Sequence, residues 1–242
     1  FRSVSANNIA RYNRATSTWT ALGGGLSGGV NAIVVNGSDV FVGGRFISAT
    51  NPDKSTIALY CIARWSTATS TWSALGVPGT NSNGLDGDIN SLAYGGGYLY
   101  AGGSFTTARN SASDTFKANA IARWNGTAWS TLGTGNSSTG NGVWSPGRAN
   151  VSAIAILGSD VYAGGSFTRA QNNSSSSLST YCIAKWSNTT NTWSALGKGT
   201  SPSTNGVGGD VLALTVFNGA LIVGGTFTTA YNDVDEIGRA HV

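Results

Sequence analysis

Four blocks of sequence recur along the chain, and this self-similarity narrows the possible folds more than any other feature. Ile9-Ala10-Arg11-Tyr12, Ile62-Ala63-Arg64-Trp65, Ile121-Ala122-Arg123-Trp124 and Ile183-Ala184-Lys185-Trp186 read alike. Each is followed by a Trp and then Leu-Gly: Trp19 with Leu22-Gly23, Trp72 with Leu75-Gly76, Trp129 with Leu132-Gly133, and Trp193 with Leu196-Gly197. An alternating apolar run comes next, then a glycine pair and Phe: Gly43-Gly44-Arg45-Phe46, Gly102-Gly103-Ser104-Phe105, Gly164-Gly165-Ser166-Phe167 and Gly224-Gly225-Thr226-Phe227. The first apolar residue (Val30, Ile89, Val151, Val211) precedes its glycine pair by 13 positions in every copy. The Phe precedes the next Ile by 16 positions in all three cases where both occur.

Each copy predicts four strands. Val30 to Val35 alternates, Asp39 to Gly43 is a second apolar run, and Asn36-Gly37 between them is a hairpin signal. The Ile-Ala-Arg-Trp strand is third, with third strands starting near 9, 62, 121 and 183, and the Trp-x-x-Leu-Gly strand is fourth. No segment keeps a 3.6-residue period, so helices are expected to be few. Length varies chiefly between a fourth strand and the next first strand. In a meander, that connection and the second-to-third one share a side. One elaborated loop face and one trimmed hairpin face are therefore expected.

Composition excludes several classes. Glycine supplies 35 of 242 residues, about twice the usual share, but without the three-residue period of collagen. A 40% hydrophobic fraction with 8 Trp, 8 Tyr and 8 Phe is enough for a core and speaks against wholesale disorder. No apolar run approaches the roughly 20 residues of a membrane span, so membrane insertion is not expected. The net charge of +4 balances few groups, and no Lys/Arg run marks a phosphate-tracking surface, so nucleic acid is not an expected partner. Charged residues make up only 10%, against roughly 25% in ordinary domains. With abundant Gly, Ser, Thr and Asn, this leans towards an extracellular or cell-surface location.

The block order resembles the kelch repeat. In that family a hydrophobic strand precedes a strand ending in Gly-Gly, then come a strand with an aromatic and a strand with Trp. Val151 to Gly165, Ala184-Lys185-Trp186 and Thr192-Trp193 follow that order. The blocks are more similar still to kelch-like extracellular repeats of bacterial surface proteins and of a fungal polarity glycoprotein family. The resemblance covers nearly the whole chain. It implies an all-β propeller of four-stranded antiparallel blades, about four blades' worth over residues 1–236, with the first strand nearest the axis. The departures are a long second-to-third connector and the lack of an Arg-x-x-His element before the first strand.

Catalytic groups are scarce. The copper radical oxidases among kelch propellers need several His, and the chain has one, His241. Sialidase-type propellers need a Glu within an Arg cluster, and Glu236 is the single Glu. No zinc spacing or nucleophile motif occurs. A non-enzyme without catalytic residues, metal site or cofactor is therefore expected. Asp86-x-Asp88-x-Asn90 alternates oxygen ligands as calcium loops do, but lacks the closing Glu and reads better as a polar turn.

Four further features bear on function. Asn-x-Ser/Thr glycosylation candidates occur at Asn36, Asn125, Asn136, Asn150, Asn172, Asn173 and Asn188. Asn36, Asn125 and Asn188 fall at expected hairpins, and Asn136, Asn172 and Asn173 in long loops. Seven Trp occupy repeat positions and are expected in the core. Trp144 stands apart in the longest inter-blade loop, either presented to a sugar or neighbouring chain or folded back as a plug. Arg11, Arg64, Arg123 and Lys185 recur on third strands, either snorkelling and bonding loop carbonyls or binding an anion. Cys61 and Cys182 hold equivalent positions two blades apart, beyond disulfide reach.

The repeat phase also predicts a piece of a longer protein, because the next Ile-Ala-Arg-Trp strand would begin just past Val242. Ile237 to Val242 reads like a translated sequencing adapter and is expected to lie outside the fold. The expected function is a non-catalytic extracellular structural or adhesive glycoprotein module, possessing as partners further repeats, other protein chains or glycans. The rivals are a carbohydrate-binding propeller lectin and an intracellular kelch-type adaptor.

Overall fold

The computed structural model describes residues 3–76, 83–134, 141–173, 175–197 and 205–231. The chain opens on a hairpin, β1 (Ala10–Asn13) and β2 (Thr18–Ala21). Three seven-strand repeats follow. The first comprises β3 (Gly25–Leu26), β4 (Val30–Asn36), β5 (Asp39–Gly44), β6 (Ser48–Thr50), β7 (Thr56–Ala58), β8 (Ile62–Ser66) and β9 (Thr71–Ser73). The second comprises β10 (Gly84–Leu85), β11 (Ile89–Gly95), β12 (Tyr98–Gly103), β13 (Thr107–Arg109), β14 (Thr115–Lys117), β15 (Ile121–Trp124) and β16 (Trp129–Thr131). The third comprises β17 (Val143–Trp144), β18 (Asn150–Leu157), β19 (Asp160–Ser166), β20 (Arg169–Asn173), β21 (Ser176–Ser179), β22 (Ile183–Ser187) and β23 (Thr192–Ala195). A last hairpin, β24 (Val211–Phe217) and β25 (Ala220–Gly225), closes the order. No helix occurs among the described residues.

Each repeat holds a four-stranded antiparallel meander in the order the spacings predict: β4-β5-β8-β9, β11-β12-β15-β16 and β18-β19-β22-β23. The two end hairpins are half-sheets. β1-β2 supplies only third and fourth strands, and β24-β25 only first and second. The first hairpin turn lies one residue further on than expected. Asn36 pairs with Asp39, so the two-residue loop is Gly37–Ser38. Gly37 supplies the positive φ of 57° that lets so short a loop match the strand twist.

The long second-to-third connector is not irregular. It carries two short strands, which join one from the fourth-to-first connection as β3-β6-β7, β10-β13-β14 and β17-β20-β21. Both elaborated connections thus meet on one side of each repeat, as the unequal loop lengths suggest. Strands of two to five residues such as Ser48-Ala49-Thr50 are too short to show alternation, which is why the sequence reads them as loop.

Successive meanders pack through their first strands, β4 on β11, β11 on β18 and β18 on β24. The first glycine of each pair makes this approach possible. A Cβ on Gly43 would fall on Ile89 and within 3.4 Å of Leu92. One on Gly102 would meet Val151 and Ile154, and one on Gly164 would meet Val211 and Leu214. The Trp of each fourth strand then latches onto the preceding meander. Indole N–H groups donate to Leu carbonyls across the junction: Trp72 to Leu22 at 2.9 Å, Trp129 to Leu75 at 3.1 Å and Trp193 to Leu132 at 3.0 Å. An Asn from the connector accepts from the backbone N–H of the same Trp, Asn51 for Trp72, Asn110 for Trp129 and Asn172 for Trp193. The Trp-x-x-Leu-Gly block is therefore an inter-sheet fastening in which Trp and Leu-Gly serve opposite neighbours.

Candidate interaction surface

The same packing leaves both ends of the array unfinished. At the first end, Trp19 is 58% exposed while its counterpart Trp129 is 2% exposed, because no preceding Leu-Gly covers it. This corrects the expectation that all seven repeat Trp lie in the core. Tyr12, whose ring is 5.1 Å from that of Trp19, is exposed too, as are Ile33 and Val35 on β4. At the other end Leu212, Phe217 and Ile222 are exposed, Phe217 at 65%. A Cβ on Gly224 would find only Ala213, at 3.9 Å, where its three counterparts are filled by a neighbouring strand. Large apolar side chains gathered this way mark surfaces that pack against something. At the first end Ile33 borders a cavity of about 590 Å³ lined also by Ile9, Ala10, Leu22, Val40 and Trp65.

The sequons separate by what their amides do. Asn36 ends a strand and is exposed, and Asn125 is exposed at a hairpin where only its Oδ1 is used, by Thr127 and Ala128. Asn173 likewise uses only Oδ1, towards the Ser175 N–H. The Nδ2 atoms of the other described candidates donate within the fold: Asn150 to Ser152, Asn172 to the Trp193 carbonyl and Asn188 to the Ser159 carbonyl. Asn188 also accepts from Tyr100, Arg123 and Trp186, so this half-buried turn residue is a hydrogen-bonding hub and not the free hairpin tip the sequence suggests. Asn172 and Asn173 lie on β20, not in a loop. Asn136 and the segment Ile237 to Val242 lie outside the described residues.

Trp144 lies in a short strand and not in a loop. It sits half-buried in β17, opposite Arg169, whose guanidinium carbon is 5.6 Å from the ring centroid. Its signal was the Asn-Gly step before it, Asn141-Gly142, matched by Asn83-Gly84 and Asn205-Gly206. Three of the four recurrent cations have local partners. Arg64 faces Asp39 at 3.7 Å, Lys185 faces Asp160 at 3.1 Å, and Arg123 lies 4.7 Å over the Tyr98 ring. Asp86, Asp88 and Asn90 each turn to different partners. Asp86 accepts from the Thr106 and Thr107 N–H groups, Asp88 pairs with Arg45 at 2.7 Å, and Asn90 donates to Asn150. No cluster of metal-ligating side chains forms among the described residues.

Both cysteines are free thiols. Cys61 and Cys182 take positive φ angles of 56° and 59°, as Asn8 and Ala120 do at the same step before the third strand. Burial pushes both thiols up, with Asp88 adding to the effect at Cys61.

No family model matches the chain, and no curated protein matches it in sequence. Among solved structures it is similar to the computationally designed Ika4 protein, at 14% identity over 86% of this chain and 96% of that one, with a TM-score of 0.42. YjhT is similar at 14% identity over 85% of this chain and 61% of that one, with a TM-score of 0.45. The designed Ika8 protein is similar at 12% identity over 84% and 57%, with a TM-score of 0.41. The chain therefore spans under two thirds of YjhT and of Ika8. Likenesses this weak define neither its fold nor its role.

Proposed function

We propose that this chain is a non-catalytic structural or adhesive module of an extracellular glycoprotein, built from kelch-like β-propeller blades and assembling through the ends of its array. The observation that carries this reading is the placement of exposed apolar side chains. Trp19, Ile33 and Val35 lie at one end and Leu212, Phe217 and Ile222 at the other, while the counterparts of Trp19 (Trp72, Trp129 and Trp193) are buried against the preceding meander and Phe41 and Tyr100, at the position of Ile222, are buried too. Four-stranded meanders joined through their first strands are the unit of a propeller. Exposed Asn36 and Asn125 provide sites where a glycan disturbs no core contact. Trp144, covered on one face by Arg169, gives the lectin reading less support.

The test is antibody labelling of intact source cells, paired with glycosidase treatment of the extracted protein. Surface labelling with a glycosidase-sensitive mass is the expected result. Labelling only after permeabilisation, with no mass shift, would overturn the reading in favour of an intracellular adaptor.

A further inference from the structure

We propose that the fold leaves the Asn36-Gly37 step open to self-modification while it shields the Asn-Gly steps between meanders. The Gly37 backbone nitrogen closes on the Asn36 side chain, and the ring opens with water to aspartate and isoaspartate. This goes beyond the extracellular module reading and does not depend on it.

Asn-Gly occurs six times, at Asn36, Asn83, Asn125, Asn141, Asn205 and Asn218. Asn218 lies in the last hairpin; the other five lie within or between whole meanders. Glycine makes such a step reactive because no Cβ shields its nitrogen. Ring closure needs two groups at liberty, the Asn carboxamide and the Gly N–H.

At Asn36-Gly37 both are free. Asn36 is exposed, and among the described residues its carboxamide holds no hydrogen bond. The Gly37 N–H has no partner there either. A Cβ on Gly37 would meet nothing within 4 Å, so a ring has room to form. This freedom is not owed to the start of the chain. β5 and β8 are both in place beside the turn, and Thr67, which follows β8, donates its N–H and hydroxyl to the Ser38 carbonyl.

Elsewhere these groups are tied or packed in. Asn141 is fully buried; its Oδ1 accepts from the Asn119 N–H at 3.2 Å and its Nδ2 donates to the Lys117 carbonyl at 2.9 Å. The Gly142 N–H donates to the Leu132 carbonyl at 2.8 Å. The Gly206 N–H donates to Leu196 at the same distance, behind a buried Asn205. Asn83 is buried too. A Cβ on Gly84, Gly142 or Gly206 would collide with the carbonyl of Tyr60, Asn119 or Tyr181, so these steps are pressed against neighbouring backbone. Asn125 is exposed, but its Oδ1 accepts from the Thr127 N–H and hydroxyl and from the Ala128 N–H. Turning that carboxamide onto Gly126 gives up those bonds.

The atoms balance with water as the single co-reactant. A bond forms from the Gly37 nitrogen to Cγ of Asn36, the Cγ–Nδ2 bond breaks, and Nδ2 leaves as ammonia with the Gly37 amide proton. Water attack at Cγ then gives aspartate. Attack at the main-chain carbonyl of residue 36 leaves Gly37 joined through Cγ, which is isoaspartate. Either product places a negative charge opposite Asp39, the cross-strand partner of Asn36, and like charges so placed oppose pairing. Isoaspartate also lengthens the backbone by one atom at a pair that sets the hairpin register. Nδ2 is the atom that a glycan would use, so glycosylation and ring closure at Asn36 exclude each other.

The test incubates the full chain, made without N-glycosylation, in warm neutral buffer. Peptide mapping by mass spectrometry reads each step as the exchange of a side-chain amide for a carboxylate. Asn36 is expected to convert at least about tenfold faster than Asn125 and at least about 100-fold faster than Asn141, because those steps must first give up their hydrogen bonds. In guanidinium chloride the five steps should convert at like rates. Asn36 intact in the native chain but converted in the denatured one would overturn the proposal. So would Asn141 converting as fast as Asn36, or a native ranking that persists in guanidinium chloride, since sequence and not fold would then set it. Asn36→Gln, which cannot close a five-membered ring, should lose the first acidic species on ion exchange. Persistence of that species would place the reaction elsewhere and overturn the proposal too. None of these failures touches the extracellular module reading, which surface labelling tests by itself.

Discussion

Replacing Trp129 by Phe tests the inter-sheet latch at its most exacting point. The Trp129 indole is buried, and its N–H donates to the Leu75 carbonyl at 3.1 Å across the junction. Leu22 and Leu132 carbonyls also accept from Gly25 and Gly142 N–H groups, whereas no backbone donor among the described residues reaches Leu75. Phe therefore removes the partner of a buried acceptor, which costs about 1–3 kcal/mol. The lost ring atoms add about 1 kcal/mol through the space they leave. The expected loss is about 2–4 kcal/mol, or roughly 5–15 °C in Tm for a chain of this size. Trp19→Phe is the internal control. Its indole is exposed and has no latch within the molecule, so the change should stay within about 0.5 kcal/mol at concentrations where the chain is monomeric. Urea titration followed by far-ultraviolet circular dichroism reads both. Equal losses for the two variants would refute the argument that the preceding meander, and not the local block, stabilises each Trp.

Other outcomes follow from the same contacts. Gly102→Ala should cost about 1–3 kcal/mol in the same titration because its Cβ meets Val151, whereas Gly224→Ala should cost under about 0.5 kcal/mol. Burial raises the Asp86 carboxyl, but the amide and hydroxyl donors of Thr106 and Thr107 outweigh it and hold the group below its ordinary value. Its stabilisation is thus present above the unfolded pKa of about 3.9 and is lost as pH falls through the lower folded value. Asp86→Ser, which copies the acceptor role of Ser27 towards Ile47 and Ser48, should shrink the difference in urea midpoint between pH 7 and acid; an unchanged difference would count against it. In a eukaryotic secretion host, Asn125→Gln should remove one glycan on a gel without changing the urea midpoint. Asn172→Gln should instead lower that midpoint, by about 1–2 kcal/mol, because both amide atoms hold the Trp193 backbone. Iodoacetamide should alkylate Cys61 and Cys182 at pH 7 at least about tenfold more slowly than a cysteine peptide, as both thiols are raised by burial; equal rates would contradict their placement.

The meander order was legible because it rests on local pattern. Constant intervals from Val30 to Gly43, and from Phe46 to Ile62, place strands whose alternation and turn glycines are visible in sequence. What escaped depends on neighbours distant along the chain. Trp19 carries the same local block as Trp72, Trp129 and Trp193, yet its burial needs a Leu-Gly from a preceding meander. Asn188 reads as a hairpin tip, but its partners Tyr100 and Arg123 come from the previous repeat. Trp144 looks isolated until Asn141-Gly142 is aligned with Asn83-Gly84 and Asn205-Gly206, which reveals the short strand pairing with β20. The connector strands hide because three-residue segments of Ser, Ala and Thr carry no periodic signal.

Each repeat is finished by its neighbour, across the junctions that Trp72, Trp129 and Trp193 latch. An experimental structure of the purified full chain at high concentration tests it most directly. The Trp72, Trp129 and Trp193 indoles should donate to the Leu22, Leu75 and Leu132 carbonyls, with Ile89, Val151 and Val211 seated on Gly43, Gly102 and Gly164. Indoles turned away from those carbonyls, or first strands that do not meet those glycines, would contradict it.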